Sequence, residues 1–102
     1  MDNIIYIYKS IGQYLGFIMG GNLFSRDGIY LGWIEEGYVW DSHGQFKGEL
    51  KDINDNSYIL KNMFAVPPIP KIPKQTPPLP SLPAPKANIP PIIPPTGYKD
   101  GF

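Results

Sequence analysis

The feature that most constrains this chain is a unit of sixteen residues that occurs three times in succession. Glycine, aromatic and aliphatic residues return at fixed positions of the unit, and six of the 11 glycines stand at such positions. The recurring sets are Ile7, Leu23 and Val39; Tyr8, Phe24 and Trp40; Gly12, Gly28 and Gly44; Tyr14, Tyr30 and Phe46; Gly16, Gly32 and Gly48; and Ile18, Ile34 and Leu50. The fold is therefore expected to be built from copies of one small unit.

The pattern within each unit predicts a β-hairpin. In the first unit, a short strand around residues 6–9 is followed by a turn and by a second strand at about residues 13–18. The turns end in Gly12, Gly28 and Gly44, and glycine adopts the positive φ of a tight turn without a Cβ clash. The prediction is an all-β fold: an antiparallel meander of short hairpin repeats with a 16-residue period and no helix.

Alternation along the second strands predicts which side chains face the core. Tyr14, Gly16 and Ile18 would share one face, and since their types recur in the next two units, this face is assigned to the core. The mid-strand glycine would let an aromatic ring of the next unit approach closely. The opposite face is apolar in two units, where it forms an outward strip of Leu15, Phe17, Leu31 and Trp33. This strip is the predicted binding surface, for the tail of the chain or for another subunit.

A fourth unit is expected after the polar loop at residues 52–57, although it departs from the pattern. Its first strand would be Tyr58-Ile59-Leu60, and Met63-Phe64 would begin a second strand after a turn at Lys61-Asn62. The paired glycines of the other units are absent from this segment. The fourth hairpin is therefore predicted within residues 58–64.

Two adjoining segments carry a resemblance to a known family. They are the run Gly28-Ile-Tyr-Leu-Gly-Trp-Ile-Glu-Glu-Gly37 and the run Tyr38-Val-Trp-Asp-Ser-His-Gly44 that follows it. Together with a body that leads directly into a Pro-Ile-Pro tail, they resemble the bacterial four-fold beta-flower proteins. The resemblance covers about residues 4–66 and implies four hairpin petals around a pseudo-four-fold axis. It implies no assigned activity, so no functional residues carry over from it.

Composition changes sharply after the hairpin units. All 13 prolines lie within residues 67–95, whereas all aromatic residues except Tyr98 and Phe102 precede them. Proline fixes φ and lacks a backbone donor, so this segment favours an extended polyproline II conformation and should not enter the sheet. The predicted division is a β-hairpin-repeat domain at residues 1–65 and a proline-rich extended tail at residues 66–102.

One stretch of the tail matches a basic-x-x-Pro-x-x-Pro ligand pattern, formed by Lys74, Pro77 and Pro80. Three interpretations follow. The stretch could bind a protein partner through an aromatic groove, or the tail could serve as a semi-rigid spacer. Alternatively, its isoleucines and leucines could pack on the outward strip of the chain's own body.

Charge separates the two parts, although the formal net charge of the chain is zero. Five basic residues against eight acidic ones give the first 65 residues a charge of −3, and four lysines against one aspartate give the tail +3. Tail and body should therefore attract each other weakly. Because the body is acidic and has one arginine, it offers no basic stripe for phosphates, and nucleic-acid binding is not expected.

The chain contains no cysteine, so it has no disulfide, which a small secreted domain usually needs. Asp2 stands where a signal peptide needs a basic residue, and Lys9 interrupts the apolar stretch that follows. No run approaches the ~20 apolar residues that cross a bilayer. We expect a cytoplasmic protein without a membrane segment.

Two patterns superficially suggest hydrolytic chemistry. Asp41-Ser42-His43 contains the residue types of a hydrolase triad, but adjacent residues of a tight turn rarely form the required hydrogen-bond chain. Glu35 and Glu36 could suggest a glycosidase, but that mechanism needs two carboxylates across a cleft, which a body of ~65 residues hardly accommodates. We expect turn residues at both places and no enzyme activity.

A third pattern suggests calcium. Residues 52–56 place oxygen-bearing side chains at alternate positions, as a calcium loop does. However, Ser57 replaces the expected glycine and Met63 the expected glutamate. A polar loop between hairpins is the simpler interpretation, so neither a metal nor another cofactor is expected.

These observations favour a non-catalytic interaction or scaffold module that self-associates or presents its tail. A body this small buries only roughly 60% of the surface of its unfolded chain, so we expect a homo-oligomer and a possible protein partner at the tail. The alternative is a small-ligand binder whose pocket, lined by Tyr and Trp, lies on the pseudo-axis or at a subunit junction.

Overall fold

The structure is a computed structural model, and it describes residues 3–102. Over this range the chain forms strands and no helix, and thus no helix that could span a membrane. The strands are β1 (Ile4–Tyr8), β2 (Tyr14–Met19), β3 (Asn22–Ser25), β4 (Tyr30–Glu35), β5 (Tyr38–Asp41), β6 (Phe46–Ile53), β7 (Asn56–Asn62) and β8 (Tyr98–Asp100). The prediction of an all-β fold is confirmed.

The strands form one sheet in which each strand pairs antiparallel with the next along the chain. The first and seventh strands also pair, in parallel, at Ile7 with Ser57 and at Tyr8 with Tyr58. This pairing closes the meander into a ring of four hairpins, β1–β2, β3–β4, β5–β6 and β7–β8, which we call petals one to four. The predicted hairpin meander is therefore confirmed.

The turns at the tips of the first three petals are alike, as the repeat predicts. Gly12, Gly28 and Gly44 have φ of +92°, +88° and +85°. Each donates its backbone N–H to the carbonyl three residues earlier, at 2.8, 2.9 and 3.0 Å. Glycine is the residue that adopts this conformation without strain, so the glycine at each tip fixes the turn.

A β-bulge recurs in each of the first three petals and changes which side chains share a face. In petal one, Tyr8 pairs with Tyr14 but Ile7 pairs with Gly16, so Leu15 is left over. The same slip occurs in petals two and three. An extra residue shifts the alternation, because successive side chains point to opposite faces. The assignment of Tyr14 and Ile18 to one face is therefore wrong.

The core accordingly has two chemically different sides. An aliphatic cluster receives one residue from the first strand of each petal, namely Ile7, Leu23, Val39 and Ile59, together with Ile18. The other side, which we call the aromatic face, is built mainly from rings that pair across neighbouring strands. Its members are Tyr6, Tyr8, Tyr14, Phe17, Phe24, Trp33 and Trp40.

The bulge also changes where the four residues of the predicted outward strip lie. Phe17 and Trp33 are 0% and 1% exposed and belong to the aromatic face. Leu15 and Leu31, the bulged residues, are partly buried against the aliphatic cluster instead. The four residues therefore form no common outward surface, because the extra residue in each second strand turns the leucines away from the rings.

The mid-strand glycines do mark close approaches, but to backbone rather than to a ring. A Cβ on Gly16 would lie 2.0 Å from the carbonyl oxygen of Phe24, and one on Gly32 would lie 1.8 Å from that of Trp40. Each glycine thus lets the first strand of the next petal pass directly over it.

The fourth petal differs from its prediction. Tyr58-Ile59-Leu60 lies in its first strand, as expected, but Met63-Phe64 does not begin the second. The second strand is Tyr98–Asp100, which pairs with β7 at Asn62, Lys61 and Leu60. The prediction that the tail stays outside the sheet is therefore wrong for these three residues. Residues 63–97, which we call the arm, are a long insertion between the two strands of petal four.

Candidate functional site

The arm passes the tips of the other petals in reverse order. At petal three, the Lys71 N–H donates to the Gly44 carbonyl at 2.8 Å. At petal one, the Ile89 N–H donates to the Gly12 carbonyl at 2.8 Å, and the Ile92 N–H donates to the Ser10 carbonyl at 2.7 Å. These bonds anchor the arm at two petals whose tips are well separated along the chain.

Petal two is contacted through side chains. A Cβ on Gly28 would lie 2.8 Å from methyl carbons of both Leu79 and Leu82. Residues 98–100 then return the chain to petal four. The arm therefore makes one circuit of the body, and residues 66–95 do so without forming a strand or helix.

A three-residue period governs how the arm faces the body. Polyproline II has three residues per turn, so every third side chain lies on the same side. Within residues 67–93, every half-buried residue falls on one such phase, and so do the three backbone donors. This inward strip comprises Pro68, Lys71, Lys74, Pro77, Pro80, Pro83, Lys86, Ile89 and Ile92.

The next phase points to solvent. Ile69, Ile72 and Ile93 are 87%, 88% and 94% exposed, although they are as apolar as Ile89 and Ile92. We call the phase that contains Val66, Ile69, Ile72 and Ile93 the solvent-facing strip. The direction in which a residue of the arm points thus depends on its phase and not on its hydrophobicity.

Each lysine of the inward strip lies over a ring of the aromatic face. The ammonium of Lys71 is 4.9 Å from the ring centroid of Trp40, and that of Lys74 is 5.1 Å from Trp33. Lys86 approaches a ring in the same way, at 4.3 Å from Tyr6. Cation–π contacts at exposed sites contribute about 0.5–1 kcal/mol each, so the three together are a meaningful fraction of the stability of a small domain.

Glu35, at the end of β4, joins two of these contacts. Its carboxylate forms an ion pair with Lys71 and a second one with Lys74, at 2.7 Å. It also accepts a hydrogen bond from Trp33 Nε1 at 3.2 Å. The hydrogen bonds from Lys71 and Lys74 lower the pKa of the Glu35 carboxyl to about 2. The carboxylate is therefore a clamp for the arm, and its depressed pKa does not suit a catalytic acid.

This clamp predicts how the arm responds to acid. A carboxyl whose pKa is lowered in the folded state stabilises that state above its ordinary value of 4.5, and this contribution is lost as pH falls toward about 2. We expect proteolysis within residues 66–76 to change little between pH 7 and pH 5 and to accelerate below about pH 4. Glu35→Gln should make this segment protease-sensitive at neutral pH. Equal acid sensitivity of parent and variant would exclude Glu35 as the clamp.

The end of the arm is held by packing and by polar contacts. Ile89 and Ile92 pack against the buried cluster formed by Tyr8, Tyr14, Tyr58 and Leu60. Close by, the Tyr14 N–H donates to Asn88 Oδ1 at 3.0 Å. Burial is the main cause that raises the pKa of Tyr8 and Tyr14, so both phenols stay protonated and neither is a base at neutral pH.

Beyond the arm, β8 is tied to the tip of petal one. Asp100 accepts hydrogen bonds from the backbone N–H of Ser10 at 2.8 Å and from its hydroxyl at 2.7 Å. On the petal-four side, the Gly101 N–H donates to the Ile59 carbonyl at 3.0 Å. The fourth petal is thus completed by Asp100, which lies 90 positions from its partner Ser10 along the chain.

The predicted ligand motif lies entirely on the inward strip. Lys74 is bound to Glu35 and Trp33, and Pro77 and Pro80 are half-buried. These three residues therefore face the chain's own body. A partner with an aromatic groove could reach them only if the arm were released.

The other sequence patterns are explained by local structure. Asp41 Oδ1 accepts the backbone N–H groups of His43 and Gln45, so it caps the turn. In the polar loop at residues 52–57, Asp52 accepts a hydrogen bond from the Ser57 hydroxyl. Across residues 3–102, no three acidic or histidine side chains lie close enough together to hold a metal ion.

A separate cleft of about 400 Å³ lies where the ring closes. β1 and β7 pair over only two residues there, so the first half of β1 diverges from its neighbour. Tyr6, Tyr8 and Lys86 line the cleft together with Asp55, in the turn before β7, and Ser57, in β7. The cleft is partly aromatic and predominantly polar.

Sequence reasoning missed Glu35 as a clamp and Ile89 and Ile92 as anchors. The lysines and the buried isoleucines of the arm lie at multiples of three residues from one another. Because polyproline II has that period, the spacing could have identified the inward strip. No comparable signal marks Asp100, whose partner Ser10 is brought near only by closure of the ring.

Comparison with known proteins supports the architecture. A family model described as 4-fold beta flower protein matches residues 1–99. No curated protein and no solved structure matches the chain. The family match spans the arm as well as the hairpins, so it treats both as one unit.

Proposed function

The chain belongs to the 4-fold beta flower family, and on that premise we propose that it is a non-catalytic interaction module whose aromatic face binds a proline-rich chain. The family has no assigned function and is not a known enzyme family. Within a single chain, the bound segment is the module's own arm. Release of the arm would present its proline motif to other proteins.

The observation that carries this proposal is that the lysines of one side of the arm, the inward strip, all contact the aromatic face. Three lysines on that phase meet rings contributed by three different petals, and Glu35 pairs with two of them. Proline-rich ligands bind other domains in a similar manner, with a preformed polyproline II helix against aromatic side chains. The low ordering entropy of such a helix makes the face suited to this class of ligand.

The proposal is tested by offering the arm as a separate peptide. We expect a fluorescent peptide of residues 66–93 to bind a Lys71→Ser, Lys74→Ser double variant of the full chain. That variant weakens the competing arm but leaves the aromatic face unchanged. Fluorescence anisotropy should show saturable binding at least about tenfold tighter than to the parent, since the parent's own arm competes at an effective concentration in the millimolar range.

The matched control is the Ile69→Ser, Ile72→Ser double variant, which alters the solvent-facing strip of the same segment. Its arm should remain docked, so the peptide should bind it as weakly as it binds the parent. If the peptide binds neither variant, the aromatic face is only a core for the chain's own arm, and the module does not receive proline-rich chains in trans.

A second candidate function is supported by the cleft at the ring closure. Its Tyr6 and Tyr8 rings, together with Lys86 and Asp55, could bind a small polar ligand with an apolar part. Thermal-shift screening against metabolites would identify such a ligand. A saturable shift that Tyr6→Ser abolishes would favour this function, and its absence would leave the interaction module.

A further inference from the structure

We propose that two copies of this chain exchange their arms together with the β8 strand that follows, so that the aromatic face of each copy binds the arm of the other. This inference rests on the proposed function, because it takes the aromatic face to be a receptor for the arm. It names the partner: a second copy of the same chain. Exchange of identical elements between protomers is a low-cost route to dimers.

The first support is that the arm makes its polar contacts mostly with the body. Backbone donors of the arm bind the tips of petals one and three, and its lysines bind Glu35 and the rings. Within the arm and its junctions with β7 and β8, the backbone bonds run from Met63 to Gly97 and from Tyr98 to Pro95. A second body offers the same acceptors, so an exchanged arm loses almost none of its contacts.

The second support is the character of the segment that would act as a hinge. β7 ends at Asn62, and Met63, Phe64 and Val66 are 52%, 80% and 91% exposed. Pro67 and Pro68 follow directly and favour an extended direction of the chain. The hinge is thus an exposed apolar segment that leads into a stiff one.

Exchange would give this apolar segment a partner. In a dimer with two-fold symmetry, the two hinges cross beside each other, so each brings the same apolar side chains to the crossing. The solvent-facing strip of the arm continues this surface at Ile69 and Ile72, which are also exposed in the closed form. Burial of such side chains is favourable in proportion to the apolar area removed from water, and the closed monomer does not obtain it.

Concentration decides between the closed and exchanged forms. A tethered arm competes at an effective concentration of about 1 mM, so closed monomers should dominate in dilute solution. The exchanged pair should form when unfolded chains refold together at comparable concentration. Once formed, it should persist on dilution, since reversal requires both arms to leave their faces.

The absence of cysteine from the chain allows a direct test. Ser10 and Asp100 touch in the folded protein, so Ser10→Cys and Asp100→Cys are placed on separate full-length copies, mixed, unfolded and refolded. A short bis-maleimide should then join the two copies in about a quarter of the chains after refolding at about 1 mM, since only mixed pairs can be joined, and in far fewer at about 1 µM. The control mixture pairs Ser10→Cys with Gln75→Cys, an exposed arm residue off the inward strip.

Three results decide the outcome. Cross-linked pairs well above the control after concentrated refolding would support exchange. If no such pairs form but a chain carrying both Ser10→Cys and Asp100→Cys cross-links within itself, exchange is excluded and docking of the arm stands. If the doubly substituted chain also fails to cross-link, docking at petal one is wrong, and exchange falls with it.

Discussion

Gly32→Ala is expected to destabilise the protein by at least about 3 kcal/mol and to leave it largely unfolded at 37 °C. The added Cβ would lie 1.8 Å from the carbonyl oxygen of Trp40 and 2.8 Å from the Cα of Asp41. Both atoms belong to backbone, so no side-chain rotation relieves the overlap, and petals two and three must separate. Chemical denaturation followed by tryptophan fluorescence measures the loss.

Gly37→Ala is the matched control for this substitution. Gly37 has φ of +83°, but a Cβ there meets no atom within 4 Å. It should cost only the ~1–2 kcal/mol of placing an L-residue in a left-handed conformation. Equal losses for the two variants would mean that the close approach of petal three over Gly32 is not present.

Ending the chain after Val66 is expected to cost several kcal/mol, comparable to the whole stability of a domain of this size. The deletion removes β8 and residues 67–97 of the arm, and thereby uncovers Tyr14, Trp40 and Leu60, which are at most 4% exposed in the intact protein. Each such side chain contributes about 1.5–3 kcal/mol by its burial. Tryptophan emission should shift to the red, and the melting temperature should fall sharply.

A chain ended after Pro95 separates the two parts of this effect. It lacks β8 but retains the arm with its contacts to petals one, two and three. It should lie between the parent and the shorter chain in stability, with tryptophan emission close to that of the parent. If the chain ended at Val66 melts and fluoresces like the parent, the tail is a spacer and the aromatic face does not need it.

The hairpins could be predicted from the sequence because their determinants are local. A tip glycine such as Gly28 needs a positive φ that its own turn dictates, and the sixteen-residue period repeats the requirement. The faces of the second strands could not be predicted by simple alternation. The bulge at Leu15 reverses the face on which the preceding residue of that strand, Tyr14, lies. A bulge is set by the pairing with another strand, which a single strand does not reveal.

For the arm, the sequence predicted general properties but not the contacts. Proline content predicted an extended segment, and the −3 and +3 charges predicted a weak attraction between tail and body. Strand β8 was missed because its three residues, Tyr98–Asp100, acquire a strand partner only after the arm has circled the body. Such a contact depends on ring closure and not on any local propensity, as the bonds of Asp100 to Ser10 illustrate.

Docking of the arm is tested most directly by amide hydrogen exchange of the full-length protein. The amides of Lys71, Ile89 and Ile92 donate to the body, whereas those of Ile72 and Ile93 donate to no backbone carbonyl within residues 3–102. We expect the first three to be protected at least about tenfold more than the last two, because exchange requires their bonds to open. Uniformly fast exchange of all five amides would contradict docking and leave the proline-rich segment as a free tail.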